Sequence, residues 1–374
     1  MRPDTLGIGI LGAGWITRAH ALAVRTIPHL PPLGRRARIT MLAARDRGRG
    51  EAMAGAIEAD RFTTDWRELV EDPSVQVVAN LTGVRGHREA TEAALSLGKP
   101  VLCEKPLGVD RLEAAAMATT ATAAGVPAVC GFNYRYVPAM RLARDLVRSG
   151  ALGELVQFRA AYLQDYAVVP SPLRPDNGST AVTDYAHIVD FLHYLGGEAE
   201  TVQAVKANLT AGDADAEDAY VAALALRGGG LASLEASRVA RGWKGRQTVE
   251  FNGTLGSLWW DMEDLNSLHV FYAADEAQGT GGFRDVLVTQ PDHPSLAGWW
   301  PAGHSLGWEH TFVNEWYDFL SAVIEGHPVP PHQATFDDGL RAAVVCDAIL
   351  ASAREGRRVS IQEMATTQPG VVRA

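Results

Sequence analysis

The segment Pro100-Val101-Leu102-Cys103-Glu104-Lys105-Pro106 runs from an apolar stretch into a carboxylate–ammonium pair and then a proline. A lysine at such a strand end, partly desolvated beside a cationic ring, can have a lowered pKa and move protons. The same pair also fits an ordinary surface ion pair. Gly12-Ala13-Gly14 sits where an apolar strand passes into a helical pattern. That position needs glycine for a tight turn and for close backbone approach to a pyrophosphate at the helix N-terminus. Thr17 stands where the third glycine of the dinucleotide fingerprint would be, and an overlapping match from Gly7 to Gly12 falls inside the strand.

The next apolar strand ends Ala43-Ala44-Arg45-Asp46. An NAD site prefers an acidic residue there, accepting from the ribose 2′-hydroxyl. Ala44 at the acidic position followed by Arg45 suits a 2′-phosphate, which a guanidinium can grip with two bonds. Arg35 to Gly50 holds six arginines and one aspartate, in a chain whose net charge is −10. NADP is therefore the expected cofactor. NAD is the alternative, since a shift of one or two residues puts Asp46 on the ribose, and the arginines also fit a solvated basic face.

His187, with Asp184 before it and Asp190 after it, lies near the first turn of a helical pattern expected over Ala181–Leu195. A histidine poised near neutrality accepts a proton from a hydroxyl whose carbon gives up hydride; a lone histidine on a helix is also an ordinary structural residue. The segment Trp299-Trp300-Pro301-Ala302-Gly303-His304-Ser305-Leu306-Gly307-Trp308 offers flat aromatic faces and a histidine. Those suit a sugar ring, or the packing of a sheet against a helix. His187 and His193 have no ligand-spaced cysteine or carboxylate partners, so no metal is expected.

These residues need strands and helices to hold them. Strands are expected at Leu6–Leu11, Ile39–Ala44, Val75–Leu81, Pro100–Cys103 and Val126–Cys130. They alternate with helical patterns that include Glu51–Ile57, Glu89–Leu97 and Arg111–Ala124. That rhythm implies a parallel sheet covered on both faces. After about residue 130 come a helix at Pro138–Ser149 and longer strands at Leu155–Tyr166, Thr201–Leu209, Tyr220–Leu226 and Leu231–Val239. Gly228-Gly229-Gly230 and Asn252-Gly253 read as hairpin turns. Two helices, about Glu309–Ile324 and Asp337–Ala353, close the chain.

The 374 residues are enough for two domains, perhaps three, at ~150 residues each. The expected division is 1–130 and 131–374, with seven of the nine tryptophans, at 243–316, in the second part. The acidic balance disfavours nucleic-acid binding through a broad basic surface. No apolar run approaches the ~18 residues of a membrane span, and no signal-peptide layout opens the chain. A cytoplasmic protein is the expectation. The three scattered cysteines form no disulfide framework.

The chain resembles the Gfo/Idh/MocA family of NAD(P)-dependent oxidoreductases over nearly its full length. The resemblance rests on Gly12-Ala13-Gly14-Trp15-Ile16, His87, Gly98-Lys99-Pro100, Cys103-Glu104-Lys105-Pro106 and Gly131-Phe132-Asn133-Tyr134-Arg135-Tyr136-Val137-Pro138. It continues in Ser149-Gly150-Ala151-Leu152-Gly153-Glu154, His187 with Asp190, and Phe336-Asp337-Asp338-Gly339. It implies an N-terminal Rossmann dinucleotide-binding domain, then an α+β domain with a large, mostly antiparallel open sheet. It implies catalytic roles for Lys105 and His187, an often cis Lys105–Pro106 bond, and cofactor contacts from Gly12, Gly14, Trp15, Ile16, Ala44, Arg45, Thr82, His87, Glu104 and Lys105.

The family places an aspartate four residues before the histidine, where this chain has Thr183. Alignment from Gly178-Ser179 puts Asp184 in that slot, and Asp184 is the favoured partner of His187. The aromatic segment and Tyr162–Tyr166 resemble those of members that oxidise the 3-hydroxyl of sugars and glycosides. Arg135, Tyr162, Gln164, Asp165 and His304 thereby become candidate substrate contacts. Hydride transfer to or from a secondary hydroxyl of a sugar, glycoside or cyclitol is the expected reaction, in a homodimer or homotetramer. The rivals are sugar hydrolysis or elimination with internally recycled NAD, and a non-catalytic dinucleotide-binding regulator.

Overall fold

The computed structural model describes residues 4–168, 180–210, 217–296 and 298–366. Gly178 and Ser179, the alternative anchor for the acidic slot, lie outside them. The chain divides into two compact units, Met1–Leu142 with Leu287–Leu340 and Ala143–Val286 with Arg341–Ala374.

The first unit is built on β1 (Thr5–Leu11), α1 (Trp15–Thr26), β2 (Arg36–Ala43), α2 (Arg47–Ala56), β3 (Arg61–Thr63), α3 (Trp66–Glu71), β4 (Val77–Asn80), α4 (His87–Ser96), β5 (Val101–Glu104), α5 (Arg111–Ala124) and β6 (Ala128–Gly131). The strands lie in the order β3-β2-β1-β4-β5-β6 with every pair parallel. This is the doubly wound Rossmann order, whose switch point falls between β1 and β4. β4 and β5 are buried along their whole length, which is why they read as unbroken apolar runs. Helix α5 keeps its expected bounds because both ends are written in the sequence. Asp110 accepts from the N–H groups of Leu112 and Glu113 at 2.9 Å each, and Gly125 closes the other end. β3 and α3 were not expected; at 3 and 6 residues they are too short to display a period.

The second unit contains part of α6 (Pro138–Arg148), then β7 (Leu155–Leu163), α7 (Ala181–Asp184), α8 (His187–Tyr194), β8 (Ala199–Ala207), β9 (Ala219–Leu226), β10 (Leu231–Ser237), β11 (Arg246–Gly253), β12 (Gly256–Asp261), β13 (Ser267–Tyr272) and β14 (Arg284–Leu287). With β15 (Val359–Ser360) these strands form one nine-stranded sheet in the order β14-β13-β12-β11-β7-β10-β9-β8-β15. It is mostly antiparallel; β7 and β10 run parallel. β9 and β10 alternate buried and exposed residues, so one sheet face is packed and the other open.

The hairpin between β9 and β10 turns at Gly228 and Gly229, whose φ of 91° and 97° suit glycine. The hairpin between β11 and β12 also forms, but Asn252 and Gly253 belong to β11 and the turn falls at Thr254-Leu255. β13 and β14 were not expected. Neither was the division of the helical pattern over Ala181–Leu195 into two helices at Tyr185-Ala186.

Helix α9 (Glu309–Glu325) and the start of α10 (Phe336–Glu355) group with the first unit, not with residues 143–286. The reason is burial. Phe312, Val313, Trp316, Phe319 and Leu320 join the core formed by Ile8 and Ile10 of β1, Val24 of α1 and Leu42 of β2. Four of the tryptophans expected in the second part therefore belong to the first unit: Trp299, Trp300, Trp308 and Trp316. Among the described residues no helix is long and apolar enough to cross a membrane.

Candidate active site

In a doubly wound sheet, ligands sit beyond the carboxyl ends of the strands. Four of the expected cofactor segments fall there: Gly12 follows β1, Ala44-Arg45 follows β2, Thr82 follows β4, and Glu104 ends β5 with Lys105 next. Gly12 has φ +108°, and a Cβ would lie 2.6 Å from the Leu81 carbonyl oxygen. Only glycine fits that close approach to the backbone that follows β4. Gly14 precedes α1 in extended conformation, with open space where a side chain would be. No side chain caps α1 and its first turn holds no acidic residue, leaving an anion site that suits a pyrophosphate.

Thr17 uses its hydroxyl locally, donating to the Gly12 carbonyl at 3.0 Å. Trp15 is exposed, stacked on Trp308 with ring centroids 5.9 Å apart, and Ile16 is half-buried. Ala44 is half-buried and Arg45 exposed. Asp46 is the cap of α2, accepting from the Arg49 N–H at 2.8 Å. Thr82 donates to Asn80 Oδ1 at 2.7 Å.

Glu104 is buried. Its Oε1 lies 2.9 Å from His20 Nε2, and its Oε2 accepts from the Lys105 backbone N–H at 3.0 Å. Burial pushes this carboxyl up, but the His20 bond, the Lys105 ammonium and the Lys105 N–H together hold it below its ordinary value. His20 in turn accepts from the Trp316 indole N–H at 2.9 Å. Neither His20 nor Trp316 was a candidate from sequence. The available signal was a polar ring on the apolar stripe of α1, four residues after Ile16 and four before Val24.

Lys105 is half-buried and its bond to Pro106 is cis. His87, expected at the cofactor, is buried with Nδ1 2.9 Å from the Pro106 carbonyl oxygen and Nε2 3.1 Å from that of Thr82. Burial lowers its pKa, outweighing the carbonyls. The ring braces the loop after β5 against the loop after β4. Burial pushes the Cys103 thiol up, so it is held as a neutral thiol.

In the second unit, His187 opens α8 and is buried. Tyr166 donates to Asp184 Oδ2 at 2.6 Å, and the Tyr162 ring lies 4.5 Å from that of Tyr185 and 6.3 Å from that of His187. Burial, reinforced by the Asp184 charge, pushes the Tyr166 phenol up, so the bond is phenol to carboxylate. Thr183, the rival for the acidic slot, accepts from the Thr180 N–H at 3.0 Å in the capping box of α7. Tyr166 is the neighbour of Asp184 that sequence reasoning did not single out.

Several expected substrate contacts have protein partners. Arg135 is buried against Asp338 at 3.3 Å, within the first unit. Asp165 is buried and accepts from Lys244 Nζ at 2.5 Å and the Gly242 N–H at 3.1 Å. Gln164 donates to the Lys244 carbonyl at 3.1 Å. His304 is exposed, its Nδ1 2.9 Å from the Pro301 carbonyl oxygen.

A Rossmann unit with a built dinucleotide turn, joined to a unit with a large open sheet, defines a class of two-part oxidoreductases. Comparison with known proteins narrows it. Residues 6–132 match the oxidoreductase family with NAD-binding Rossmann fold, and residues 140–259 match the GFO/IDH/MocA C-terminal domain. The chain belongs to the Gfo/Idh/MocA oxidoreductase family. It is 33% identical to a levoglucosan dehydrogenase of Pseudarthrobacter phenanthrenivorans, over 96% of this chain and 99% of that one. An oxidoreductase domain protein from Kribbella flavida superposes with a TM-score of 0.90 at 38% identity, covering 96% of this chain and 99% of that one. Levoglucosan dehydrogenase solved in complex with NADH and levoglucosan gives 0.89 at 32% identity, again covering 96% and 99%.

Proposed function

We propose that the protein is a nicotinamide-dependent dehydrogenase acting on a secondary hydroxyl, or the corresponding ketone, of a sugar, glycoside or cyclitol. The observation that carries this is the convergence of Gly12, Ala44-Arg45, Thr82 and Lys105 at the carboxyl ends of β1, β2, β4 and β5. The levoglucosan dehydrogenase relative points to the substrate class. When bound, the nicotinamide ring accepts or donates the hydride. In the oxidative direction His187 takes the hydroxyl proton. Asp184, held by Tyr166, orients the imidazole. The Lys105 ammonium supplies a donor that stabilises negative charge developing on an oxygen. Arg135 and Asp165 act as braces of their loops, through Asp338 and Lys244. Tyr162, beside His187, and the exposed His304 are the better candidates for holding the remaining hydroxyls.

NADP is the preferred cofactor in this reading. Asp46 is occupied as a helix cap, Arg38 pairs with Asp60, and Arg47 pairs with Glu51. Arg45, next to the small Ala44, has no protein partner among the described residues. Fluorescence titration with NADPH and NADH tests this. Arg45→Ala should weaken NADPH by roughly 10- to 100-fold, as loss of one or two charge-assisted bonds requires, and leave NADH little changed. Tighter binding of NADH by the unaltered protein would overturn the preference. A screen of sugars, glycosides and cyclitols, read by nicotinamide absorbance, tests the reaction itself. Product formation with no absorbance change would point instead to internal recycling of the cofactor.

A further inference from the structure

We propose that Trp316, His20 and Glu104 form a buried relay of positioning residues that fixes Lys105. This rests on the reading of Lys105 as the group beside the reacting oxygen.

An indole N–H can only donate. Standing 2.9 Å from His20 Nδ1, it makes that nitrogen an acceptor. A neutral imidazole with an acceptor Nδ1 carries its proton on Nε2. That N–H faces Glu104 Oε1 at 2.9 Å, so Glu104 receives it as a carboxylate. The second carboxylate oxygen takes the backbone N–H of Lys105 at 3.0 Å. The chain of donors therefore runs one way, from α9 through α1 to the residue that follows β5.

Its members are dry: His20 and Trp316 are 0% exposed and Glu104 7%. Phe312 packs edge-on to His20 with centroids 4.9 Å apart, closing that side of the ring. In such surroundings a polar group without its partner is costly, so the arrangement is strongly specified. The groups that face Glu104 are His20 from α1, His87 from α4, and Cys103 and Lys105 from its own segment. Burial favours neutral His87 and neutral Cys103. Glu104 thus supplies a fixed negative charge one residue before Lys105. It anchors the lysine backbone through the Lys105 N–H.

The first test uses the full-length protein and nitrogen-15 NMR of its histidines. One resonance pair, assigned by its loss in His20→Gln, should show an acceptor Nδ1 and a protonated Nε2. A charged ring or a protonated Nδ1 would overturn the relay whatever the enzyme's activity.

The second test is the pH profile of kcat. Glu104→Gln should lower kcat at least about 10-fold across that profile. His20→Ala should lower kcat at least about 10-fold and His20→Gln should recover most of that loss, since an amide can accept from the indole and donate to the carboxylate. Cofactor affinity by fluorescence should hold in both His20 variants. Full turnover in Lys105→Ala would remove the reading of Lys105 and leave the tautomer result to be judged alone. Loss of turnover in Lys105→Ala with normal turnover in Glu104→Gln would overturn the relay only.

Discussion

Lys105 illustrates how much a residue's setting adds to its type. The ammonium follows the last residue of β5, the preceding carboxylate is tied to His20, and the following loop is braced by His87. Replacing it with alanine should lower turnover at least ~100-fold, the scale of lost acid–base help, while nicotinamide-cofactor fluorescence still reports binding. Near-normal rates would take Lys105 out of the mechanism. Tyr166 is a second case. Its hydroxyl donates to Asp184 at 2.6 Å, so Tyr166→Phe leaves that carboxylate short of a charge-assisted donor. We expect kcat to fall by roughly 10-fold, the value of a hydrogen bond to a charged group, with cofactor affinity unchanged in the same titration. Asp165 and Arg135 make the opposite point: their charges, conspicuous in the sequence, are matched by Lys244 and Asp338.

At the scale of elements, sequence legibility followed length and punctuation. Helix α5 was readable at both ends because Asp110 caps it and Gly125 stops it. β1, β4 and β5 were readable as apolar runs. β3 and α3 were not, being too short for a period, and a continuous helical pattern over Ala181–Leu195 concealed the break at Tyr185-Ala186. That break makes His187 the first residue of its own helix.

The turn after β1 is the sharpest element-level test. Gly12→Ala would force a Cβ to within 2.6 Å of the Leu81 carbonyl oxygen at φ +108°. The change should cost about 1–3 kcal/mol in denaturant unfolding and abolish detectable dinucleotide binding. Gly14→Ala, with open space and φ −79°, should leave the unfolding midpoint unaltered. Equal destabilisation by both would refute the crowding argument.

For the whole molecule, titration links the buried groups to stability. Burial lowers the pKa of His87 and of His310 from the ordinary 6.5. Asp72 is lowered from 3.8 by Arg61; in Asp218 the hydrogen bonds from Leu209, Arg238 and Thr210 outweigh burial, and in Glu104 those from His20 and Lys105 do. All five groups bind protons more weakly folded than unfolded, so unfolding takes protons up and stability rises with pH. The histidine contribution is present above about pH 6.5 and is lost as pH falls below it; the carboxylate contribution is lost below about pH 4. The urea midpoint should therefore be level from about pH 7 to 8 and fall in two stages toward pH 3. A midpoint that rises on mild acidification to pH 5 would contradict the neutral buried histidines.

The sequence by itself determined the parallel strand–helix rhythm, the glycine turn and the Glu104-Lys105-Pro106 strand end, and its resemblance to a family pointed to His187 with Asp184. The first three depend on local rules: apolar period, glycine at a tight turn, charge at a strand end. Tertiary structure alone decided that Leu287–Leu340 packs with the first unit, that Trp316 and His20 stand behind Glu104, and that Tyr166 serves Asp184. Those pairings join residues far apart in the chain, such as His20 and Trp316 at a separation of 296. No local pattern encodes them. The first two arise because the apolar face of α9 must be buried, and the core against α1 is where it is buried.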